Sequence, residues 1–409
     1  MNLEEKIIFQ NKHWGEGKFD TFAFKRDIYA KIWRDIDTKL IGLITGPRRV
    51  GKSVIIKQLI NDLILSKSVE PRQILFFEFS PKQKPEIIWD VFKYFIKEVS
   101  NVKIPIYIFL DEIQYIDGYE STVKEIYDNS KDCKIFLTGS LSLTYKNKME
   151  ESLGGRFFSY ELLPLKFSEY LQLSNSKNYN LYKKVQSEID KFKRQNSLMI
   201  LNSDFRNFLE FGRFPEIISF SKEQAKAYIA NVITQSLNQD VFSYFDIQKP
   251  QIMNALFSYF QQNNGSFVSI NKLAKDLGTS NQTVTLYINI LETMSLIYVI
   301  YNTTNSIKKG QSSKKIYVSS AFGLLEPKYD IQTASGFAVE SYVLERLLER
   351  EETVTFWRKR EKEIDFLLPK KKIGYEVKFR SSFPETKQLV KNFQIETISL
   401  DKKIPACLF

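Results

Sequence analysis

The 409-residue sequence predicts an α/β fold, a parallel sheet flanked by helices with smaller helical and α/β segments after it. Three observations carry this. First, the apolar run Leu40-Ile41-Gly42-Leu43-Ile44 reads as a buried strand, and a helical pattern from Val54 to Leu65 follows it. Between them lies Gly46-Pro47-Arg48-Arg49-Val50-Gly51-Lys52-Ser53. Second, Lys103 to Leu110 is rich in β-branched and aromatic residues, reads as a strand buried on both faces, and ends in Asp111-Glu112. Third, the strand Cys133 to Leu137 ends in Thr138-Gly139-Ser140. With Ile74 to Phe79 as a further strand, the alternation with helices specifies parallel order.

Each strand tip carries chemistry. Residues 46–53 match G-x-x-x-x-G-K-[ST] and join a strand end to a helix N-terminus. Free backbone N–H groups and the helix dipole there favour a polyphosphate. ATP with Mg²⁺ is therefore the expected cofactor, lined by Gly46, Pro47, Arg48, Arg49, Val50, Gly51, Lys52, Ser53 and Val54. Lys52 reaches the β- and γ-phosphates, and the Ser53 hydroxyl holds Mg²⁺ together with Asp111. Glu112 beside it polarises the attacking water as general base. The plainer alternative for Asp111-Glu112 is a pair of acids leaving a buried strand for solvent. The Thr138 hydroxyl is placed to bond the γ-phosphate or the water.

These residues resemble the AAA-type ATPases, in particular a group common in archaea. The matching stretches are GPRRVGKS at 46–53, LDEIQ at 110–114, LTGS at 137–140 and GGRFFSYELLPLKFSEYL at 154–171, which sets residues 1–172 as the P-loop ATPase core. The resemblance implies that Arg156, after a Gly pair, is a sensor or finger for the γ-phosphate, in its own site or in a neighbour's; the alternative is a surface arginine. Arg48 and Arg49 contact nucleotide or a neighbouring segment, and Arg26 falls on the base or ribose side. Residues 173–263 resemble the group's helical lid through Gly212-Arg213-Phe214-Pro215-Glu216. Arg213 there reads as a helix-start arginine or as a lid contact to nucleotide.

Composition bounds the rest. With 43% hydrophobic residues there is enough apolar material for real cores. No run of about 18 apolar residues occurs, so no membrane span is expected. Met1-Asn2-Leu3-Glu4-Glu5-Lys6 is no signal-peptide core, and Cys133 and Cys407 make neither a disulfide framework nor a zinc cluster. A cytoplasmic protein is the expectation. The single His13 excludes a histidine-rich metal site. Lys+Arg 59 against Asp+Glu 48 gives a net charge of +11, which permits a nucleic-acid partner without requiring one.

Residues 264–334 read as a winged helix-turn-helix. Ile270 to Gly278 is a short helix, and Gln282 to Met294 is a second one with Val284, Ile288, Leu291 and Met294 inward. A hairpin, Leu296 to Tyr301 and Lys315 to Ser319, follows. Its turn brings Lys308, Lys309, Lys314 and Lys315 to phosphates if DNA is bound. The second helix carries Gln282, Thr283, Thr285, Tyr287 and Asn289 but no Lys or Arg, so a protein partner is the alternative.

Residues 335–409 read as a small α/β domain. Glu340 lies on the apolar stripe of a helix from Ser335 to Glu349, where a lone carboxylate is costly. Strands Glu363 to Leu368 and Ile373 to Arg380 form a hairpin about Lys370-Lys371, which sets Asp365 opposite Glu376 with Lys378 on the same face. Opposed like charges destabilise a sheet unless a cation lies between them. The order helix-Glu, strand-Asp, strand-Glu-x-Lys resembles the PD-(D/E)xK nuclease core. It implies a metal held by Glu340, Asp365 and Glu376, with Lys378 on the scissile phosphate; charges facing water are the alternative. The whole predicts an ATP-hydrolysing protein whose nucleotide state places C-terminal DNA-binding or nuclease-like domains. A regulatory switch with a protein partner and a DNA endonuclease are the alternatives.

Overall fold

The computed structural model describes residues 1–81, 83–100, 105–130, 132–140, 154–187, 191–241, 245, 247–303, 314–322, 331–350, 353–359, 362–378, 388–390 and 393–399. The chain forms two compact units, Met1–Leu163 with Gln239–Asp246, and Pro164–Asn238 with Ile247–Phe409.

The first unit is an α/β structure. Strands β1 (Ile41–Thr45), β2 (Ile74–Glu78), β3 (Ile106–Asp111), β4 (Cys133–Gly139) and β5 (Phe157–Glu161) form one sheet in the order β2-β3-β4-β1-β5. Every pairing in it is parallel. Helices α1 (Leu3–Gln10), α2 (His13–Glu16), α3 (Tyr29–Arg34), α4 (Lys52–Lys67), α5 (Ile87–Tyr94) and α6 (Tyr119–Asn129) accompany it. β1, β3 and β4 are buried along their whole length, as strands covered on both faces must be. Cys133 is buried among them, and burial pushes its thiol up to about 12, a packing role rather than a reactive one.

β2 is an edge strand, and side chains satisfy its outer backbone. Asn11 donates to the Phe76 carbonyl at 2.8 Å and accepts from the Phe76 N–H at 2.7 Å. Gln10 makes the same pair of bonds with Glu78 at 3.1 and 2.8 Å. Trp14 Nε1 donates to the Ile74 carbonyl at 2.8 Å and His13 Nε2 lies 3.1 Å from it. The remaining His13 nitrogen, Nδ1, is buried without a partner, which suits a neutral ring.

Burial drives the His13 pKa down to about 4, against a weaker opposing effect from the Ile74 carbonyl. The unfolded chain takes a proton near pH 6.5, the folded one only near 4. Stability is therefore present above 6.5 and lost as pH falls toward 4. The expected loss from this residue is about 2 kcal/mol between pH 7 and pH 5. Urea unfolding at the two pH values measures it, and His13→Asn should flatten the difference.

In the second unit, helices α7 (Phe167–Leu173), α8 (Tyr179–Ser187), α9 (Lys191–Phe211), α10 (Lys222–Gln235) and α11 (Pro250–Gln262) precede the predicted helix-turn-helix, α12 (Ile270–Asp276) and α13 (Asn281–Thr293). α7, expected with the ATPase core, packs here: Phe167 meets Phe205 and Phe208 at ring separations of 5.2 and 5.4 Å. Ser269 and Ser280 cap the two short helices by accepting from the Lys272 and Thr283 N–H groups. Val284, Ile288 and Leu291 point inward as their spacing predicts.

The strands after α13 do not form separate wing and nuclease-like sheets. β6 (Ser266–Val268), β7 (Ile297–Asn302), β8 (Lys314–Val318), β9 (Thr355–Lys359), β10 (Lys362–Leu368), β11 (Ile373–Lys378), β12 (Gln388–Val390) and β13 (Phe393–Ser399) make one sheet in the order β12-β13-β11-β10-β9-β7-β8-β6. The join is a parallel pairing of β7 with β9 at Tyr301↔Thr355 and Asn302↔Phe356. Helix α14 (Ile331–Arg350) packs against β11 and contributes the buried Tyr342, Val343, Leu344 and Leu347.

Arg213 is one of the largest fully buried side chains. It pairs with Glu345 of α14, donates to the Leu165 carbonyl, and lies 5.1 Å from the Phe208 and Tyr342 ring centres. Glu345 also accepts from Ser319 Oγ at 2.9 Å and from Ser320 N and Oγ at 2.8 Å. Arg213 is thus a core cation of the second unit, a role different from the helix-start arginine and the lid contact expected of it.

Candidate nucleotide site

The loop from Gly46 to Gly51 leaves the carboxyl end of β1 and enters α4 at Lys52. Its backbone is unusual where the motif demands it. Gly46 has φ 145°, Arg49 φ 62° and Gly51 φ 101°. A Cβ on Gly46 would lie 2.0 Å from the Leu162 carbonyl oxygen, on rigid backbone tied to Thr45 by a 2.8 Å bond. Gly46→Ala should therefore cost roughly 3 kcal/mol and abolish nucleotide binding. Thermal unfolding together with ATP titration calorimetry checks both parts.

Lys52 is buried, and its ammonium donates to the Gly46 and Pro47 carbonyls at 3.0 and 2.9 Å and to Ser140 Oγ at 3.5 Å. Val50 is buried beneath the loop, and Arg48 donates to the Tyr115 hydroxyl at 2.7 Å. Ser53 and Val54 begin the first turn of α4. Arg26, expected on the base or ribose side, is buried; it donates to the Val50 carbonyl and to the Leu163 carbonyl, each at 2.8 Å. It braces the loop.

Asp111 ends β3 and is fully buried. Burial, then the neighbouring Glu112 charge, pushes its carboxyl up, against the Ser53 and Thr138 hydroxyls and the Lys52 charge. Its Oδ1 accepts from Thr138, while its Oδ2 is buried with no hydrogen-bond partner. A bare carboxylate oxygen between a serine hydroxyl and the loop lysine fits a hard cation that takes its remaining oxygens from phosphate and water. The residues present therefore suit Mg²⁺ bound with a nucleotide.

Glu112 follows in a left-handed conformation, φ 54°, which turns it away from the strand. Its N–H donates to Thr138 Oγ1 at 3.1 Å. Its Oε2 accepts from Gln114 Nε2 and from Ser140 Oγ at 3.4 Å. Thr138, expected to bond the γ-phosphate or the water, here donates to Asp111 and accepts from the Glu112 N–H, and Ser140 is the hydroxyl between Glu112 and Lys52. Glu78, which the sequence reading missed, pairs in register with Asp111 at the end of β2. Part burial, then the Asp111 and Glu112 charges, pushes its carboxyl up. The signal was available, since an apolar run ending in Glu is the same pattern as Leu110-Asp111.

Arg156 does not join this site within its own chain. It precedes β5, its carbonyl accepts from Ile41 N at 3.0 Å, and it faces Asp128 at 3.6 Å. Ile41 begins β1 and Gly46 follows its end, so a whole parallel strand, roughly 16 Å, separates Arg156 from the loop. Strand direction excludes the contact within its own site and leaves the two other expected readings, a neighbour's site or a surface arginine.

The second predicted cluster is reshaped. The β10–β11 register, Phe366↔Tyr375 through Leu368↔Ile373, is the one read from the sequence, and the pairing ends there, one residue short of Asp365 and Glu376. Asp365 Oδ2 accepts from the Val377 N–H at 2.9 Å. Lys315 of β8, expected at the surface with Lys308 and Lys309, is instead buried. It forms an ion pair with Glu363 and stands 3.8 Å from Asp365. Lys308, Lys309 and Cys407 lie outside the described residues. The Tyr317 hydroxyl is 3.4 Å from Lys315 and donates to Glu340 at 3.3 Å. Burial, then the Asp365 charge, pushes Glu340 up to about 8. Among the described residues no three His, Cys, Asp or Glu side chains are grouped to hold a metal. Glu340, Asp365 and Glu376 therefore do not assemble the expected ligand set, because a lysine lies among the acids.

Residues 38–171, which hold the phosphate loop and the Asp111-Glu112 strand tip, match the family model described as AAA domain. Residues 202–324 match a domain of unknown function (DUF8612), which runs across the predicted boundary between lid and helix-turn-helix. An uncharacterized protein of Methanocaldococcus jannaschii is 28% identical over 381 residues, 90% of this chain and 80% of that protein. A second one from the same organism is 25% identical, over 75% of this chain and 65% of that protein. An uncharacterized protein of Haemophilus influenzae is 24% identical, over 64% of this chain and 62% of that protein. The chain thus spans less than two thirds of the length of these last two relatives. A fold comparison aligns the Aeropyrum pernix ORC1 protein, solved in complex with DNA, at 10% identity and a TM-score of 0.36, over 78% of this chain and 93% of that one. That likeness is too low to bear on partners. No helix among the described residues is long and apolar enough to cross a membrane.

Proposed function

We propose that this chain binds ATP with Mg²⁺ at residues 46–53 and hydrolyses it to ADP and phosphate, using the output to govern contacts of its C-terminal segments. One observation carries the reading: the buried, unpartnered Asp111 Oδ2 beside Ser53 and Lys52 at the mouth of a strand–loop–helix. Lys52 at present bonds neutral carbonyls, which a polyphosphate replaces with a charge-assisted contact. Ser53 and Asp111 would hold the cation, which would supply charge neutralisation at the phosphates. Glu112, oriented by Gln114 and Ser140, accepts the proton of the attacking water.

Duplex DNA is the proposed partner of the second unit. Asn281, Gln282, Leu286 and Asn289 form an exposed face of α13, and Lys272 and Lys275 are exposed on α12. Side-chain amides match the donor and acceptor edges of adenine in a major groove.

The test is calorimetric titration of ATP and ADP, followed by phosphate release with and without duplex DNA. Binding should require Mg²⁺ for full affinity and vanish in Lys52→Ala. No heat from either nucleotide at millimolar concentration would sink the reading. Tight binding with no turnover under both conditions would favour a nucleotide-dependent switch.

A further inference from the structure

We infer that the carboxylate cluster of the second unit already holds its cation: the Lys315 ammonium takes the place that a divalent metal would occupy between α14, β10 and β11. The inference stands apart from the nucleotide reading, since none of its residues belongs to the P-loop site.

Geometry argues it first. Lys315 comes from β8, but its side chain is only 5% exposed, and it is paired to Glu363 and 3.8 Å from Asp365. Through the Tyr317 hydroxyl it is one bond removed from Glu340. A buried ammonium is strongly disfavoured unless acids and polarisable surfaces surround it. Both are present. The ring centres of Phe267, Tyr317 and Phe356 lie 5.4, 5.9 and 5.7 Å from Nζ, within cation–π range.

Charge balance argues it second. The mutual repulsion of Glu340, Glu363 and Asp365 calls for positive charge among them. Lys315 supplies it, the Lys378 charge also acts on Asp365, and Arg358 sits opposite Glu363 in the β9–β10 register. A divalent cation would add to a cluster already supplied with three positive side chains. It would also have to share Asp365 with an ammonium and with the Val377 N–H.

The consequence is a joint rather than a metal centre. Lys315 belongs to the hairpin of the helix-turn-helix segment, and Glu363 and Asp365 belong to the C-terminal hairpin. The ion pairs tie the two halves of the eight-stranded sheet together without metal.

Counting bound Mn²⁺ by electron paramagnetic resonance on the full, nucleotide-free chain tests this. Wild type and Asp365→Asn should bind the same number of ions. Lys315→Met, which keeps volume and contact with the aromatic rings while removing charge, should gain one ion per chain. That gained ion should disappear in Lys315→Met/Asp365→Asn. A wild-type ion lost in Asp365→Asn overturns the inference, as does a folded Lys315→Met that gains none. If Lys315→Met does not fold, the comparison of wild type with Asp365→Asn decides by itself.

Discussion

Glu112→Gln retains ATP and loses turnover, with phosphate release falling about 10²–10⁴-fold. The amide is isosteric and can keep its place beside Gln114 and Ser140, but it takes up no proton from water. Lys52, Ser53 and Asp111 are untouched, so calorimetric affinity for ATP should stay within a few-fold of wild type. Single-turnover phosphate release together with ATP titration separates the two effects. If the variant hydrolyses at the wild-type rate, the base lies elsewhere, and Glu78, in register with Asp111, becomes the carboxylate to test. A variant that loses binding as well would show instead that the Glu112 carboxylate shapes the site through Gln114 and through Ser140, which Lys52 also reaches.

Arg213→Met unravels the centre of the second unit, at an expected cost of about 3–5 kcal/mol. The substitution fills the volume between Phe208 and Tyr342 but strands a fully buried Glu345 carboxylate with only the Ser319 and Ser320 donors. Arg213→Lys should cost less: an ammonium can meet Glu345 but not also span to the Leu165 carbonyl. Hydrogen exchange of the α14 amides, read by mass spectrometry, localises the effect to this unit. Unchanged protection in Arg213→Met would mean that the ion pair contributes nothing net to the packing of that helix.

The parts of this molecule legible in the sequence are those encoded by neighbours along the chain. The phosphate loop, the Asp111-Glu112 strand tip, the two helices of the helix-turn-helix and the register about Lys370-Lys371 each depend on a spacing of a few residues. What escaped depends on pairings over long separations. Arg156 looked catalytic from its Gly pair, yet the parallel pairing of β5 with β1 sets it at the amino edge of the sheet. Lys315 looked like a surface lysine until β8 paired with β7 and β7 with β9. Thr138 and Ser140 are two residues apart, and only the placement of Glu112 and Lys52 distinguishes which one faces the cleft. Arg213 and Glu345 are 132 positions apart, and no local pattern links them.

The borrowed hydrogen bonds along β2 have one more consequence. Asn11 and Gln10 imitate a neighbouring strand, and with His13 and Trp14 they occupy the outward donors and acceptors of Phe76 and Glu78 and the carbonyl of Ile74. A second copy of the chain finds no template there, so domain swapping and fibre-like growth are blocked on that flank. The same arrangement makes Gln10 to Trp14 a plug: trimming it would open a sticky rim along β2.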